Sequence, residues 1–271
     1  MKRGITEHNF LLTVDKPVGV TSHDVVNQLR AEYGEGRIGH MGTLDPMASG
    51  LLMVGVGQAA RLNKFLTGHD KTYVVTASFG KATNTYDSEG TVTEEVEVPE
   101  NFNIDVDKLK GKHKQKPPAF SAVKVNGKPA YVDARKGKNP DLPERDIEVY
   151  DSNLRSRKDN DFCIEVSVSS GTYIRSLIHD LGQKLGVPAY VKTLHRSKIG
   201  DVSKCGKLNP VEVLGYKTIE ADTDMYKRVL CGQEINSDIK DEYFSIVYDN
   251  KLIAIYKNNK PVSVFDKGID L

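Results

Sequence analysis

Apolar and polar side chains alternate along residues 73–79, with Tyr73, Val75, Ala77 and Phe79 on one face. A period of two predicts a half-buried strand. The largely apolar runs 10–14 and 51–56 predict strands, the second of them buried, and 91–98 alternates as an exposed one. Asn126-Gly127, flanked by 121–125 and 128–131, carries the dipeptide that favours a tight hairpin turn. Residues 145–154 and 162–169 form a second pair of strands around Lys158-Asp159-Asn160. Two segments change period. After Thr21, with Asp24 three residues on as a capping box, Val25, Val26 and Leu29 share a helical face. Ile174, Leu177, Ile178, Leu181 and Leu185 repeat at helical spacing until Gly186-Val187-Pro188 stops them. A short helix is expected over 58–66. Strands joined by hairpins, with a few helices between them, predict an α+β fold: a mainly antiparallel mixed sheet with flanking helices.

The texture changes near Asn209-Pro210. A helical stretch at 211–216 and a polar passage to Asp238 precede three short strand-like runs at 243–248, 252–256 and 262–265. The division expected is a main domain over 1–215 and a small all-β domain over 216–271. At 271 residues the chain has room for both. Its net charge of +1 names no partner, and its three cysteines (Cys163, Cys205 and Cys231) contain no C-x-x-C pair. That argues against a zinc site or disulfide framework and suits a reducing cytosol. The apolar core at 10–14 is too short for a signal peptide, and no segment has the apolar length of a membrane span. A cytoplasmic, monomeric protein with no membrane association and no obligate protein partner is expected.

Charge is unevenly spread. Residues 87–107 carry eight acids and no Lys or Arg, whereas 108–138 carry ten basic residues against Asp133 alone. Such a segment is either a solvated lysine-rich loop or the footprint of a polyanion binder. Pro117-Pro118, Phe120 and Tyr131 interleave rigid and aromatic groups with the lysines, which leans toward nucleic acid. The candidate chemistry lies earlier, in Gly39-His40-Met41-Gly42-Thr43-Leu44-Asp45-Pro46, where Asp45 is the only carboxylate between Gly39 and Gly50. Pro46 pushes Asp45 toward extended backbone. Read alone, a Gly-x-x-Gly turn with Asp-Pro is ordinary turn chemistry.

Further segments give that loop a context. Asp15-Lys16-Pro17-x-Gly19-x-Thr21-Ser22 precedes it. Lys71-Thr72-Tyr73 leads through Phe79-Gly80 to Thr83-x-Thr85-x-Asp87, and Lys116 to Gly127 continues to Ala134-Arg135-x-Gly137. Ser170-Gly171-Thr172-Tyr173-Ile174-Arg175 opens the long helix, and Leu194-His195-Arg196 sits before Ile199-Gly200. In this order the segments resemble the TruB family of bacterial tRNA pseudouridine synthases, which act on the T-loop. The resemblance runs from Lys16 to about Gly200. It departs in detail at Phe120, where tyrosine is common, and at His195, where arginine is frequent. The tail resembles a reduced version of the family's PUA-like domain.

The resemblance implies isomerisation of the T-loop uridine at tRNA position 55 to pseudouridine, without a guide RNA and with no cofactor or metal. A carboxylate can serve as nucleophile toward an electron-poor sugar carbon, and Asp45 occupies the implied position. Arg175 is implied as the cation that keeps it ionised. Tyr73 is implied either as a ring stacked on the extruded uracil or as a proton relay. Tyr173 and Leu194 are implied as pocket walls, His40 as a wedge, and Lys16 with Pro17 as a floor. The basic stretch, about 108–140, is implied as a thumb-like insertion over the T-arm, with Lys112, Lys114, Lys116, Lys124 and Arg135 on phosphates. Three alternatives remain at this level: an RNA-guided relative, a non-catalytic tRNA-folding chaperone, and a plain RNA-binding module.

Overall fold

The structure is a computed structural model that describes residues 7–121, 123–125, 127–138 and 140–271. Asn126 of the expected Asn-Gly turn, and Ala122 before it, lie outside the described residues. The chain begins β1 (Phe10–Lys16), α1 (Ser22–Tyr33), β2 (Ile38–His40), β3 (Ala48–Val56), a 3-10 turn (Gly57–Leu62) and α2 (Asn63–Leu66). There follow β4 (Lys71–Phe79), β5 (Lys81–Thr83), β6 (Val92–Glu95), β7 (Gly111–Gln115), β8 (Lys124–Val125), β9 (Lys128–Pro129) and α3 (Ala130–Ala134). Next come β10 (Arg145–Lys158), β11 (Asp161–Val168), α4 (Ile174–Leu185) and β12 (Ala189–Ile199). The last part holds β13 (Gly206–Leu208), α5 (Pro210–Leu214), β14 (Lys217–Glu220), α6 (Thr223–Leu230), β15 (Tyr243–Tyr248), β16 (Lys251–Lys257) and β17 (Lys260–Asp270). The expected α+β class, mainly antiparallel, is what is observed.

Two compact units divide these elements. One comprises residues up to Pro46, Gly50–Gly68 and Gly200–Leu271; the other comprises Met47–Ser49 and His69–Ile199. In the first, β1 lies antiparallel between β13 and β3, with Lys16 opposite Gly50. The capping box forms as expected: Thr21 accepts from the Asp24 amide while Asp24 accepts from the Thr21 amide, and Gly34 closes α1 in left-handed conformation. Val25, Val26 and Leu29 then pack on Phe10, Leu12, Leu52 and Val54.

A second sheet in this unit runs β14-β15-β16-β17. Three strands are expected there; a fourth, β14, is parallel to β15 with Ile219 opposite Ile246. Its burial pattern leaves only Ile219 half-buried, so the strand has too little apolar signal to stand out of a polar passage. The same passage hides α6, of which only Val229 is buried. The outer edge of β17 is covered by side chains from the 3-10 turn and α2. Gln58 donates to the Asp266 carboxylate (2.5 Å), Arg61 to the Val264 carbonyl (2.6 Å) and Lys64 to the Val262 carbonyl (3.2 Å). Donors three apart meet acceptors two apart because a 3-10 turn rises about 2 Å per residue and a strand about 3.3 Å.

The second unit is built on the antiparallel order β12-β4-β11-β10-β7. Along β4 burial alternates as the sequence predicts, with Lys71, Tyr73, Val75, Ala77 and Phe79 inward. Phe79 meets Phe102 and Phe162 at ring distances of 5.1 and 5.3 Å, and α4 ends at Gly186 as expected. The hairpin near residue 126 is shorter than its flanks suggest: β8 and β9 have two residues each, and Tyr131, expected in a strand, lies in α3. Pro129 has no amide to extend the ladder, and it instead precedes the helix as N-cap. Of the segment 108–140, residues 111–115 are β7, the edge strand of the sheet, bonded to β10. Among the described residues no helix is long and apolar enough to cross a membrane.

Candidate active site

In the first unit, the backbone on both sides of Asp45 is pinned. Ser22, buried at the start of α1, accepts from the Leu44 amide (2.9 Å) and donates to the Leu44 carbonyl (3.1 Å). On the other side, the Pro46 carbonyl accepts from the Gly19 amide (2.8 Å) and from the Lys16 ammonium (3.4 Å). Lys16 is fully buried and also donates to the carbonyls of Pro17 (2.9 Å) and Val20 (2.8 Å). A buried ammonium is tolerated when its protons find acceptors, and this one ties the loop after β1 to the loop that carries Asp45. Asp45 itself is half-buried. His40, also half-buried, ends β2 opposite Val54.

The second unit carries the other expected residues. Arg175 and Asp87 form an ion pair at 3.3 Å, with side chains 4% and 5% exposed. The same guanidinium donates to the carbonyls of Thr85 (2.9 Å) and Phe120 (3.0 Å). This is a buried, multiply bonded arginine and not a surface salt bridge. Charges withdrawn from water need such partners to persist. Asp87 is in turn fixed by the Thr85 hydroxyl (2.5 Å) and the Glu89 amide (3.0 Å), and the Thr83 hydroxyl bonds its carbonyl (2.7 Å). From the sequence Asp87 is one of eight acids over 87–107 and the end of the Thr83-x-Thr85-x-Asp87 segment, with no role assigned to it.

Tyr73 is buried on β4, opposite Val166 on one side and Arg196 on the other. Leu194 is opposite Val75, two residues along the same face of β12. Between them His195 faces the other way, its ring Nδ1 3.0 Å from the Ser49 hydroxyl. Tyr173 precedes α4 with its backbone held by Gln115, which accepts from its amide (2.8 Å) and donates to its carbonyl (3.0 Å). The Arg145 guanidinium lies 5.4 Å from the centre of the Tyr173 ring.

Two buried cations flank Tyr73. Arg196 is 1% exposed, and Lys71 lies two residues before Tyr73 on the same face. Burial, reinforced by the Arg196 charge and opposed by Asp70, brings the Lys71 ammonium down to about 8. Unfolded, the lysine recovers its ordinary value of 10.5. Between those values the unfolded chain binds a proton that the folded chain lacks, so this group makes stability rise with pH across the window. Below about pH 8 both states are charged and the burial cost is present in full. Replacing Lys71 by Met is therefore expected to remove the rise. Urea midpoints at pH 7.5 and 10 check this: the gap between variant and parent shrinks at the higher pH, and a constant gap refutes it.

The basic residues expected on RNA are exposed. Lys112 and Lys114 share the outer face of β7, and Lys116 follows in step. Lys114 is 3.6 Å from Asp146 and Lys116 2.9 Å from Asp141, pairs open enough to water to be worth little. Lys124 stands on β8, and Arg135 stacks on Tyr131 at 5.3 Å just after α3. Changing Lys112, Lys114 and Lys116 together to Ala is expected to weaken tRNA binding and flatten its log–log salt dependence by about two units. The chemical rate at saturating RNA should stay near the parent's. An unchanged slope in a salt titration would assign the row to solvent.

Comparison with known proteins gives the family and the fold. The pattern described as "TruB family pseudouridylate synthase (N terminal domain)" matches residues 30–174. The "tRNA pseudouridine synthase B" of Thermosipho melanesiensis is 42% identical over 259 residues, covering 94% of this chain and 82% of the relative. That of Oceanobacillus iheyensis is 36% identical, covering 94% and 97%. Among solved structures, the chain is similar in fold to one in a Cbf5-Nop10-Gar1 complex, with TM-score 0.66 and 24% identity over 92% of this chain and 78% of that one.

Proposed function

Because the chain belongs to the TruB family of pseudouridylate synthases, whose members here are tRNA enzymes, we propose that it isomerises the T-loop uridine at tRNA position 55 to pseudouridine with Asp45 as nucleophile. It does so as a stand-alone monomer in the cytoplasm, with no guide RNA and no protein partner. The observation that carries this reading is the mount of Asp45: Ser22, Gly19 and Lys16 hold the backbone of Leu44 and Pro46, while the carboxylate between them stays half-buried. Catalytic groups need this kind of fixed placement.

In the reaction the C1′–N1 bond breaks, the uracil turns, a C1′–C5 bond forms, the C5 proton leaves and N1 gains one. Atoms balance with no added reagent. Asp45 meets the electron deficiency that the sugar carbon develops. Arg175 serves as the cation of the reacting site, the role the family resemblance implies for it. Asp87, locked to Arg175, sets its direction. The Tyr73 ring stacks on the extruded base, as flipped bases require, and its phenol relays the C5 proton. Tyr173 and Leu194 wall the pocket, His40 fills the space the base leaves, and Lys16 supports the floor. Lys112, Lys114, Lys116, Lys124 and Arg135 bind phosphates from the thumb segment, about 108–140, of a catalytic domain over 1–215. Residues 216–271 serve as a reduced PUA-like domain.

The relatives named tRNA pseudouridine synthase B favour guide independence over the guided reading, which has only a shared fold behind it. Incubating the pure protein with an unmodified tRNA transcript and mapping pseudouridine tests the whole. One new pseudouridine in the T-loop is expected. Modification only after a guide RNA is added overturns guide independence; tight binding with no modification favours the chaperone.

A further inference from the structure

We propose that Tyr86 and His179 are positioning residues of this reaction, forming with Asp87 and Arg175 a two-point clasp that fixes the Arg175 guanidinium; the inference rests on Arg175 serving the reacting site. Arg175 and His179 are four residues apart on α4, hence on one face. Tyr86 and Asp87 are consecutive in the loop after β5. Each helix residue grips one loop residue. The guanidinium pairs with Asp87 at 3.3 Å, and the imidazole lies flat on the Tyr86 ring, centroids 3.8 Å apart and planes 11° from parallel.

The backbone makes this more than incidental packing. Tyr86 sits at φ +63°, in the left-handed region that a bulky side chain occupies only at a cost. Glycine or asparagine would fit that turn with less strain. The Val191 amide bonds the Tyr86 carbonyl (3.0 Å), and the Asp87 backbone bridges to Val191 on β12. With the turn so held, Asp87 enters the interior while Tyr86 faces the helix. Burial lowers the His179 imidazole against the pull of Asp180 and Glu94. It raises the Tyr86 phenol, with Asp180 adding to this and Lys116 opposing. Both rings are uncharged near neutral pH, so the stack is a neutral one. An offset or parallel stack of this kind shifts an equilibrium about two- to tenfold.

Single-turnover rates on a tRNA transcript, with tRNA Kd and thermal melting alongside, test the clasp. Tyr86→Asn tolerates the left-handed turn and lacks the ring; its rate at saturating enzyme is expected to fall about two- to tenfold with Kd held within about twofold. Tyr86→Phe, which keeps the ring, should recover the parent rate. Because the stack acts through Asp87, adding Tyr86→Asn to Asp87→Asn should slow the reaction no further. A parent-like rate for Tyr86→Asn, a Phe variant as slow as the Asn variant, or losses that multiply in the double variant would each overturn the clasp. Should Tyr86→Asn melt too early to assay, His179→Ala against His179→Phe decides in the same way, with the Phe variant expected to be the faster. Asp87→Asn and Arg175→Met both at the parent rate would overturn the role of Arg175 itself. Both slow, with Tyr86→Asn fast, overturns only the clasp.

Discussion

Asp45→Asn is expected to lower pseudouridine formation by more than about 10³-fold while tRNA affinity stays within about threefold of the parent. The amide preserves the volume of the side chain and removes its charge. The bonds from Ser22, Gly19 and Lys16 to backbone atoms of Leu44 and Pro46 do not involve the side chain that is changed. Tritium release from C5-labelled uridine gives the rate, and filter binding gives the affinity. Residual turnover within tenfold of the parent would remove Asp45 from the role of nucleophile. A matching loss of affinity would mean that the residue reads RNA instead.

The second large effect concerns Tyr73. Tyr73→Phe keeps the ring, its stacking face and its fit to β4, and deletes only the hydroxyl. If the phenol takes the C5 proton, the variant should bind tRNA normally and lose about 10²–10⁴-fold in single-turnover rate, the usual range for general-base removal. If stacking is the whole role, Phe should match Tyr and only Tyr73→Leu should fail. Tyr73 lies inward on β4, two residues after Lys71 and opposite Arg196. A Phe variant within threefold of the parent would leave the ring alone as the active part.

Much of this arrangement is legible in the chain. The alternation of β4, the capping box of α1 and the apolar spacing of α4 are local signals, and each element forms where those signals place it. What escapes depends on partners distant in sequence. β14 is a strand because β15 lends it a parallel ladder, and its own residues carry little apolar pattern. Tyr131 is helical because Pro129, which has no amide to extend the β8–β9 ladder, caps α3 instead. Asp87 is the first of eight acids in sequence, and its cationic partner Arg175 lies on an element far along the chain. Motif spacing marks Asp45, Tyr73 and Arg175; no periodicity marks the residues that hold them.

The side chains that cover the edge of β17 also impose an order on synthesis. Lys64 and its acceptor at Val262 are 198 residues apart. A ribosome adding about 5–20 residues per second needs on the order of 10–40 s to supply that acceptor. During the interval Gln58, Arg61 and Lys64 are solvated, while residues 69–199, nearly the whole of the second unit, have already emerged and can close on themselves. The edge that Gln58, Arg61 and Lys64 cover is therefore closed after the second unit has emerged, so a transcript cut short before Val262 lacks all three of their acceptors while residues 69–199 are already made.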